Sequence, residues 1–495
     1  MHRASEQYFV LTLPLKPEIW QRHVLEKRFE INRQIYNALL AKACRRYRQM
    51  IQTRAWRANQ ERLSEEADKE ARKRLLKERD LLIQQYRLRK YDICHDATPL
   101  RQHFSAHTDS PVVQNLAAEV WQAVDALIRG RGTAAREKAP GQLRSLSGKT
   151  NHSSIKYREG VISWKGLLLP VAFKGNAYES QALKKELRFC RIKRESIRGK
   201  ERYFAELVLK GTPPVKSQPD VQIDGSSGRI KVPGTAVQKV GIKTGFWKIA
   251  AVSEREAILC DLPGKRSALE YRKRKLTEYM ERSRRGANPE NYRPDGRIRE
   301  GSADWKVSNR YRKARSQYQE LCRKQRALQR EEQFLLARRI ATMGERFYIE
   351  EINFLKLGKR KPNSAGAQQR SPAAFLRILR QKLCQQEKEV LWIQPFMLKA
   401  SGFNHHTGSY QKTPLRKSWR IVGGQKVDKK LYSAFLLSNA AMEQESLSFE
   451  LERCRERFPV FLELQKKALE QYEREAEQRS AHGGQAMETE DVRSA

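Results

Sequence analysis

Apolar positions first alternate and then recur at helical spacing along the first quarter of the chain. Residues 8–15 read YFVLTLPL and predict a β-strand. Apolar residues at helical spacing follow and predict a long helix, after which the nearly all-charged run 54–89 predicts a solvated helix or helical hairpin with a basic face. Ser110 and Pro111 then predict an N-cap and a proline in the first turn of a further helix.

From about residue 142 the pattern changes to short alternating segments that Gly and Pro separate. It predicts an antiparallel, barrel-like β unit, which the strand at 8–15 could complete. A polar, Gly-rich linker follows at 218–234, and the remaining pattern predicts strands and helices in alternation. These are strands at 240–253, 347–352 and 391–396, and helices at 265–285, 305–342, 371–387 and 430–442. A length of 495 residues favours two to four domains.

The charge of the chain indicates a polyanionic partner. Lys and Arg number 99 against 57 Asp and Glu, which gives a formal charge of +42. The basic residues spread over nearly the whole length, as in a protein that wraps nucleic acid, whereas a membrane surface usually binds one amphipathic helix or a polybasic tail. No apolar run approaches the roughly 18 residues of a membrane span. We expect nucleic acid as the partner and no membrane.

The seven cysteines do not predict a zinc ribbon, because the closest two, Cys44 and Cys94, are 50 positions apart in the numbering. Wide spacing and an odd count favour reduced thiols in a cytoplasmic protein. Cys94, His103 and His107 could bind zinc, but the tight turn and paired spacing of zinc sites are missing. We interpret this stretch as a polar loop after a basic helix.

Six segments then form a specific combination of motifs in one order. They are SLSGKTN at 145–151, VGI at 240–242, MERSRRGANPENY at 280–292, YIEEINF at 348–354, ASGFNH at 400–405 and LYSAFLL at 431–437. Together they resemble TnpB, the insertion-sequence-encoded ancestor of type V CRISPR effectors, and the miniature effectors of that family. The resemblance implies RNA-guided DNA binding, in which guide RNA pairs with the target strand and the protein reads a short flanking DNA motif.

The resemblance also implies an α+β multidomain fold with a β-barrel wedge domain, a helical recognition domain and an RNase H-like RuvC domain with a mixed sheet. We expect a wedge strand at 1–15, the recognition domain at 16–141, and the wedge barrel and linker at 142–235. The split RuvC-like domain is expected at 236–475, with a helical insertion at 265–342 and a cysteine-free, zinc-finger-like lobe at 400–426. The polar residues 476–495 are expected to be a disordered tail.

The RuvC site of that family needs three carboxylates: an Asp after the VGI strand, a Glu that ends a later strand, and an Asp at the start of a C-terminal helix. They hold two metal ions that activate water against a phosphodiester. Here the three positions carry Lys243, Glu350 and Lys430, so the charge of the two replaced positions changes from −2 to +2. A protonated lysine repels Mg²⁺, and we expect that Mg²⁺ binding is lost and that no catalytic residue set is intact.

Three alternatives stay open at this site. Asp428 or Glu351 could replace a lost ligand, although a shift of two residues at a helix start turns a side chain by about 200°. The two lysines could be drift after selection was lost, or they could hold the phosphate that the metals once held. A lysine pair could also explain why Glu350 persists, by neutralising it.

The lobe at 400–426 is expected to hold no zinc. It contains no cysteine, and the adjacent His405 and His406 have poor chelating geometry, so we expect them on the surface. Four other side chains are expected to pack the lobe without a metal: Phe403, Tyr410, Leu415 and Trp419.

Direct nucleic-acid contacts can be predicted by region. The first recognition helix is expected near the flanking duplex motif and the wedge-like unit near guide RNA, although a single side chain of this kind is more often a solvated surface group. The candidates are Arg33, Tyr36, Asn37, Arg45 and Arg46 on the helix, and Lys149, Asn151 and Lys156 in the wedge-like unit.

We therefore predict a nuclease-inactive, RNA-guided DNA-binding protein, associated with the nucleoid of a prokaryotic cell. Its partners are guide RNA and double-stranded DNA, and it affects the transcription machinery only by occlusion at guide-matched targets. Two alternatives stay open: an active RNA-guided endonuclease, such as a transposon-associated TnpB with a rearranged RuvC site, and a nucleic-acid protein without a guide.

Overall fold

The computed structural model describes residues 7–214, 238–245, 247–262, 267–299, 301, 304–352, 372–411, 417–443 and 446–491. The chain has a mixed α+β composition and forms two compact units, Met1–Pro219 and Asp220–Ala495. None of the helices in the described ranges is long and apolar enough to cross a bilayer. The predicted linker at 218–234 lies outside the described residues.

The first unit combines helices with two antiparallel sheets. Its helices are α1 (Ile19–Gln52), α2 (Arg54–Glu65), α3 (Lys69–Gln85), α4 (Lys90–His103), α5 (Ser110–Ile128) and α6 (Ala177–Leu183). Its strands are β1 (Tyr8–Pro14), β2 (Ser145–Ser147), β3 (Lys156–Arg158), β4 (Val161–Trp164), β5 (Leu167–Pro170), β6 (Leu187–Ile197) and β7 (Lys200–Lys210). One sheet has the order β1–β7–β6–β2 and the other the order β3–β4–β5.

The N-terminal strand completes the β unit, as the sequence pattern suggests. β1 pairs antiparallel with β7 from Tyr8 opposite Lys210 to Pro14 opposite Phe204. Just past its end, the Lys16 amide donates to the Pro170 carbonyl at the end of β5 over 2.9 Å. The first strand therefore joins the two antiparallel sheets at this end of the unit.

The helices of the first unit and its strands share one hydrophobic core, to which α1 contributes Phe29, α5 contributes Val120 and β7 contributes Leu207. The charged run 54–89 forms the hairpin of α2 and α3, which confirms one of its two predicted forms. The cap of α5 differs from the prediction. The Asp109 carboxylate, and not Ser110, accepts from the Val112 amide, because Asp109 is extended and Ser110 is already helical.

The second unit is built around a five-stranded sheet of β8 (Lys239–Thr244), β9 (Lys248–Val252), β10 (Ala257–Asp261), β11 (Arg346–Glu350) and β12 (Glu389–Ile393). Three two-stranded sheets pair β13 (Phe403–Asn404) with β14 (Ser409–Tyr410), β15 (Trp419–Val422) with β16 (Gln425–Asp428), and β17 (Ala440–Glu443) with β18 (Ser446–Phe449). Its helices are α7 (Ser267–Ala287), a 3-10 turn (Pro289–Asn291), α8 (Asn309–Ala341), α9 (Pro372–Gln385), α10 (Pro395–Leu398), α11 (Lys429–Ser438) and α12 (Leu451–Asp491).

This sheet is mixed, with the order β10–β9–β8–β11–β12. β8, β11 and β12 are parallel neighbours, while β9 runs antiparallel to both β8 and β10. One face of the sheet packs on α11 and α12, where Tyr348 meets Phe435 and Phe461 in one cluster. The other face packs on α8 and α9 through Ile340 and Phe375. The sheet is therefore enclosed between two helical layers.

The C-terminal part of the second unit differs from the prediction in two places. The helix expected at 430–442 ends at Ser438, and β17 begins at Ala440. The last helix runs to Asp491, so the backbone is helical through most of the segment 476–495 that we expected to be disordered. Residues 475–479, Glu-Ala-Glu-Gln-Arg, are good helix formers, which favours continuation of the helix.

Candidate functional site

Lys243 and Glu350 meet at the carboxyl edge of the parallel strands. Lys243 lies near the end of β8 and Glu350 is the last residue of β11, and the two strands pair in parallel up to Ile242 opposite Ile349. The Lys243 ammonium group donates directly to the Glu350 carboxylate. The Glu350 side chain is only 3% exposed and that of Lys243 only 15%. The carboxylate therefore has a lysine as its charge partner.

Lys430 lies beside this ion pair, in the first turn of α11. A Cβ atom on Gly245 would lie 2.9 Å from the Lys430 Cε, so the lysine stem crosses the chain just past the end of β8. Burial lowers the pKa of Lys430, and the positive charges of Lys248 and Lys243 act in the same direction. Asp428 and Asp261 oppose this shift of the pKa.

Lys248, at the start of β9, belongs to the same group of charges, although the sequence analysis does not single it out. The tight connection from β8 to β9 brings it near Lys430. In the sequence, Lys243 and Lys248 flank Gly245, but two lysines on either side of a glycine are too common to predict a site. The site therefore combines three lysines with one buried glutamate.

The two alternative carboxylates, Asp428 and Glu351, are hydrogen-bonded to other groups. Asp428 caps α11, and its Oδ1 accepts from the amides of Lys430 at 2.8 Å and Leu431 at 3.0 Å. Glu351 is exposed and accepts from the Gln394 side chain over 3.1 Å. In the part of the chain that the structure describes, no three His, Cys, Asp or Glu side chains form a group that could hold a metal ion.

These residues do not fit a magnesium pair. Two Mg²⁺ ions need several carboxylate oxygens, and here Glu350 is bonded to Lys243 while Lys430 brings a further positive charge. The geometry leaves a carboxyl edge that attracts anions more readily than it binds divalent cations.

The expectation that both histidines of the lobe lie on the surface is wrong for His405. Its side chain is fully buried and its Nδ1 lies 2.7 Å from the hydroxyl oxygen of Tyr432. The His405 and Phe458 ring centroids are 4.7 Å apart. Burial lowers the pKa of His405 to about 4, aided by the nearby positive charges of His406, Arg455 and Arg420. Tyr432 and Phe458, on α11 and α12, enclose this ring, which the local sequence could not show.

The rest of the lobe packs partly as predicted. Phe403 is buried, with ring centroids 5.0 Å from Tyr410 and 4.7 Å from Phe449. Tyr410 is 55% exposed and Trp419 is 37% exposed, so these two cover the surface of the lobe and do not fill its interior. Leu415 lies outside the described residues.

Three of the predicted base-contacting residues on α1 lie together and contact Lys138, two through its backbone and one through its side chain. The Arg33 guanidinium donates to the Lys138 carbonyl over 2.7 Å, and the Asn37 amide group bonds both the carbonyl and the N–H of Lys138. The Lys138 ammonium lies 3.8 Å from the centre of the Tyr36 ring. These side chains therefore support the segment that follows α5.

The other predicted contacts divide between structural and exposed positions. Arg46 pairs with Asp96, and Asn151 exchanges two hydrogen bonds with the backbone of Tyr157. Arg45 and Lys149 are exposed, and Lys149 donates to the Gln114 side chain. Lys156 is half-buried on β3. Arg45, Lys149 and Lys156 are the predicted positions that the structure leaves best placed for phosphate contact.

The chain is similar in fold to solved structures, but its sequence matches no family model and no curated protein. Among solved structures, the chain is similar to a Cas12f1–sgRNA–target DNA complex at 12% identity and a TM-score of 0.40, over 88% of this chain and 99% of the other. It is also similar to a CRISPR–Cas12f ternary complex at 11% identity and a TM-score of 0.26, over 84% of this chain and 82% of the other.

Proposed function

We propose that the protein is a nuclease-inactive, RNA-guided DNA-binding protein of the TnpB and miniature type V effector kind. The support comes from the six motifs in one order and from the place of three of them in the fold. The VGI motif lies in β8, the YIE of the fourth motif ends β11, and LYSAFLL forms most of α11. These elements bring Lys243, Glu350 and Lys430 to one edge of a mixed sheet, where an RNase H-like nuclease would carry its carboxylates.

The ion pair of Lys243 with Glu350 is the observation that carries the proposal of inactivity. Hydrolysis of a phosphodiester by a two-metal site needs both metals between shared carboxylates. Here the remaining carboxylate is buried against a cation, and the helix start carries a second cation. The cofactor that we propose is guide RNA, without zinc and without catalytic Mg²⁺.

A protein that binds a matched duplex and does not cut it would stay at its target. At a promoter such a complex would block RNA polymerase by occupying the DNA, so we propose repression of transcription by occlusion, with no direct contact to the polymerase required. The charge of +42 supports both partners, guide RNA and double-stranded DNA, because each is a polyanion.

The test is to purify the full-length protein from its native host, sequence any RNA that copurifies, and measure binding to duplexes that match or do not match that RNA. We expect one discrete RNA species and binding that is far tighter to the matched duplex. Tight, sequence-specific duplex binding by a preparation free of RNA would overturn the guided function.

A further inference from the structure

We propose that the two lysines at the former nuclease positions have different roles: Lys243 neutralises Glu350, whereas Lys430, with Lys248 beside it, binds a phosphodiester of the DNA strand. This inference rests on the proposed function, because it takes that strand to the carboxyl edge of the sheet. With these roles the site would bind the DNA phosphodiester and would not hydrolyse it.

The Lys243 side chain already has a charge partner within the protein. Its ammonium group bonds the Glu350 carboxylate, and both side chains are largely buried. A buried carboxylate without a cation is strongly unfavourable, so this pair is needed by the folded protein itself. Lys243 therefore stabilises the folded protein by compensating the charge of Glu350.

Lys430 is in a different position. Among the described residues, no carboxylate lies within 4 Å of its ammonium group. The side chain is half-buried, and burial lowers its pKa while Asp428 and Asp261 oppose the shift. An anion that enters the site would restore the lost interaction.

The acidic groups near Lys430 are each hydrogen-bonded elsewhere. Glu350 accepts from Lys243, Asp428 accepts from the backbone amides at the start of α11, and Asp261 accepts from the Tyr472 hydroxyl over 3.1 Å. Lys248 extends over the ring of the same Tyr472, with its ammonium group 4.0 Å from the ring centre. The two lysines that are not paired with a carboxylate thus lie on the same edge of the sheet.

The chemical class of ligand follows from these groups. Lysine binds phosphate as a point charge, and a backbone phosphodiester carries one negative charge. Without a metal ion, the lysines can hold that group but cannot activate water against it. The site would then add to the time that the complex spends on its target.

The experiment uses the full-length protein with its copurified RNA and compares four variants with the wild type. Lys430→Met removes the proposed phosphate ligand, and Lys430→Arg keeps the charge. Lys243→Met removes the structural pair, and Lys467→Met removes one exposed lysine of α12 as a matched control. The readouts are the dissociation constant for matched duplex at several salt concentrations and the midpoint of thermal unfolding.

For Lys430→Met we expect the slope of log affinity against log salt to decrease by about 0.7 and affinity to fall about 5-fold at 0.1 M salt. Its unfolding midpoint should stay the same or rise, because an unpaired, half-buried charge is gone. Lys430→Arg should bind like the wild type, Lys467→Met should change affinity less than about twofold, and Lys243→Met should lower the midpoint.

Two results would overturn the inference while leaving guided binding intact. They are wild-type affinity for Lys430→Met and a lower unfolding midpoint for Lys430→Met. If the wild type itself does not prefer matched duplex, the proposed function fails, and that outcome is distinct from these two.

Discussion

At the residue scale, Glu350 is a buried carboxylate at the end of a central strand. Its side chain is 3% exposed, so in the folded protein it needs a charge partner or a proton. Lys243 supplies the partner from the neighbouring parallel strand. The lysine and the glutamate therefore form one structural unit, in which each side chain compensates the charge of the other.

Replacing Lys243 by Met should destabilise the folded protein by about 3 kcal/mol, because it leaves a buried carboxylate without a partner. The double variant Lys243→Met, Glu350→Gln should recover most of this loss, since the uncompensated charge is removed. Chemical unfolding of the wild type, both single variants and the double variant gives the interaction energy. Additive effects of the two substitutions would contradict a direct pair.

His405 predicts a pH dependence of stability. Its pKa in the folded state is about 4, well below the ordinary value of 6.5, so folding favours the neutral ring. The stabilisation is fully present above pH 6.5 and is lost as the pH falls toward 4. Between pH 7 and pH 5 the free energy of unfolding of the wild type should fall by about 2 kcal/mol more than that of His405→Gln. Equal losses for both proteins would show that the ring does not titrate in this way.

At the element scale, the contact between β8 and α11 places the site. A Cβ atom on Gly241 would lie 1.9 Å from the Ala434 carbonyl oxygen and 2.4 Å from the Ser438 amide nitrogen. The strand and the helix therefore touch backbone to backbone, which sets the position of Lys430 relative to Lys243. The glycine of the VGI motif has a packing reason that is independent of any chemistry.

Gly241→Ala should therefore destabilise the second unit by more than about 3 kcal/mol, the upper range of overpacking, because backbone atoms cannot move aside as a flexible side chain does. Gly286→Ala, in α7, is the matched control, since a Cβ there meets no atom within 4 Å. It should be neutral or stabilise by up to about 1 kcal/mol. Thermal unfolding of both variants measures the difference, and similar midpoints would contradict the close packing.

Strong hydrophobic periodicity made some helices and strands predictable, whereas charged side chains or short length obscured the pattern of others. The alternation at 8–15 matches β1, and the charged run 54–89 is helical. β6 lies within the predicted β unit, but its alternation is weak because arginine and lysine occupy its outer positions, although Cys190 and Ile192 are buried between them. β10 was missed because Ala257–Asp261 is short and does not alternate; its first three residues are all buried.

The positions of the site could be predicted from its motifs, but the ion pairing and burial of its side chains could not. The sequence names Lys243, Glu350 and Lys430, whereas the pairing of only one lysine depends on the register of β8 with β11 and on the start of α11. His405 and Lys248 were missed for the same reason. Their surroundings come from α12 and from a strand turn, which local sequence does not specify.

At the scale of the whole molecule, the proposed function predicts that two substitutions, at Lys243 and Lys430, would rebuild a carboxylate-lined site. Lys243→Asp alone should not restore cleavage, because Lys430 still repels a metal ion and the helix still lacks its ligand. Lys430→Asp alone should fail for the corresponding reason. The double variant rebuilds an Asp–Glu–Asp set around Glu350 and should give detectable nicking of supercoiled, guide-matched DNA in Mg²⁺ or Mn²⁺. Nicking by either single variant at the level of the double variant would contradict this division of ligands.

We propose that the whole molecule binds guide-matched DNA and does not cut it. The most direct test incubates the unmodified protein and its copurified RNA with supercoiled matched plasmid while Mg²⁺ or Mn²⁺ is titrated, and follows binding and strand breaks in the same samples. We predict a stable complex and intact supercoiled DNA at every metal concentration. Robust cutting by the unmodified protein that Glu350→Ala abolishes would contradict the account.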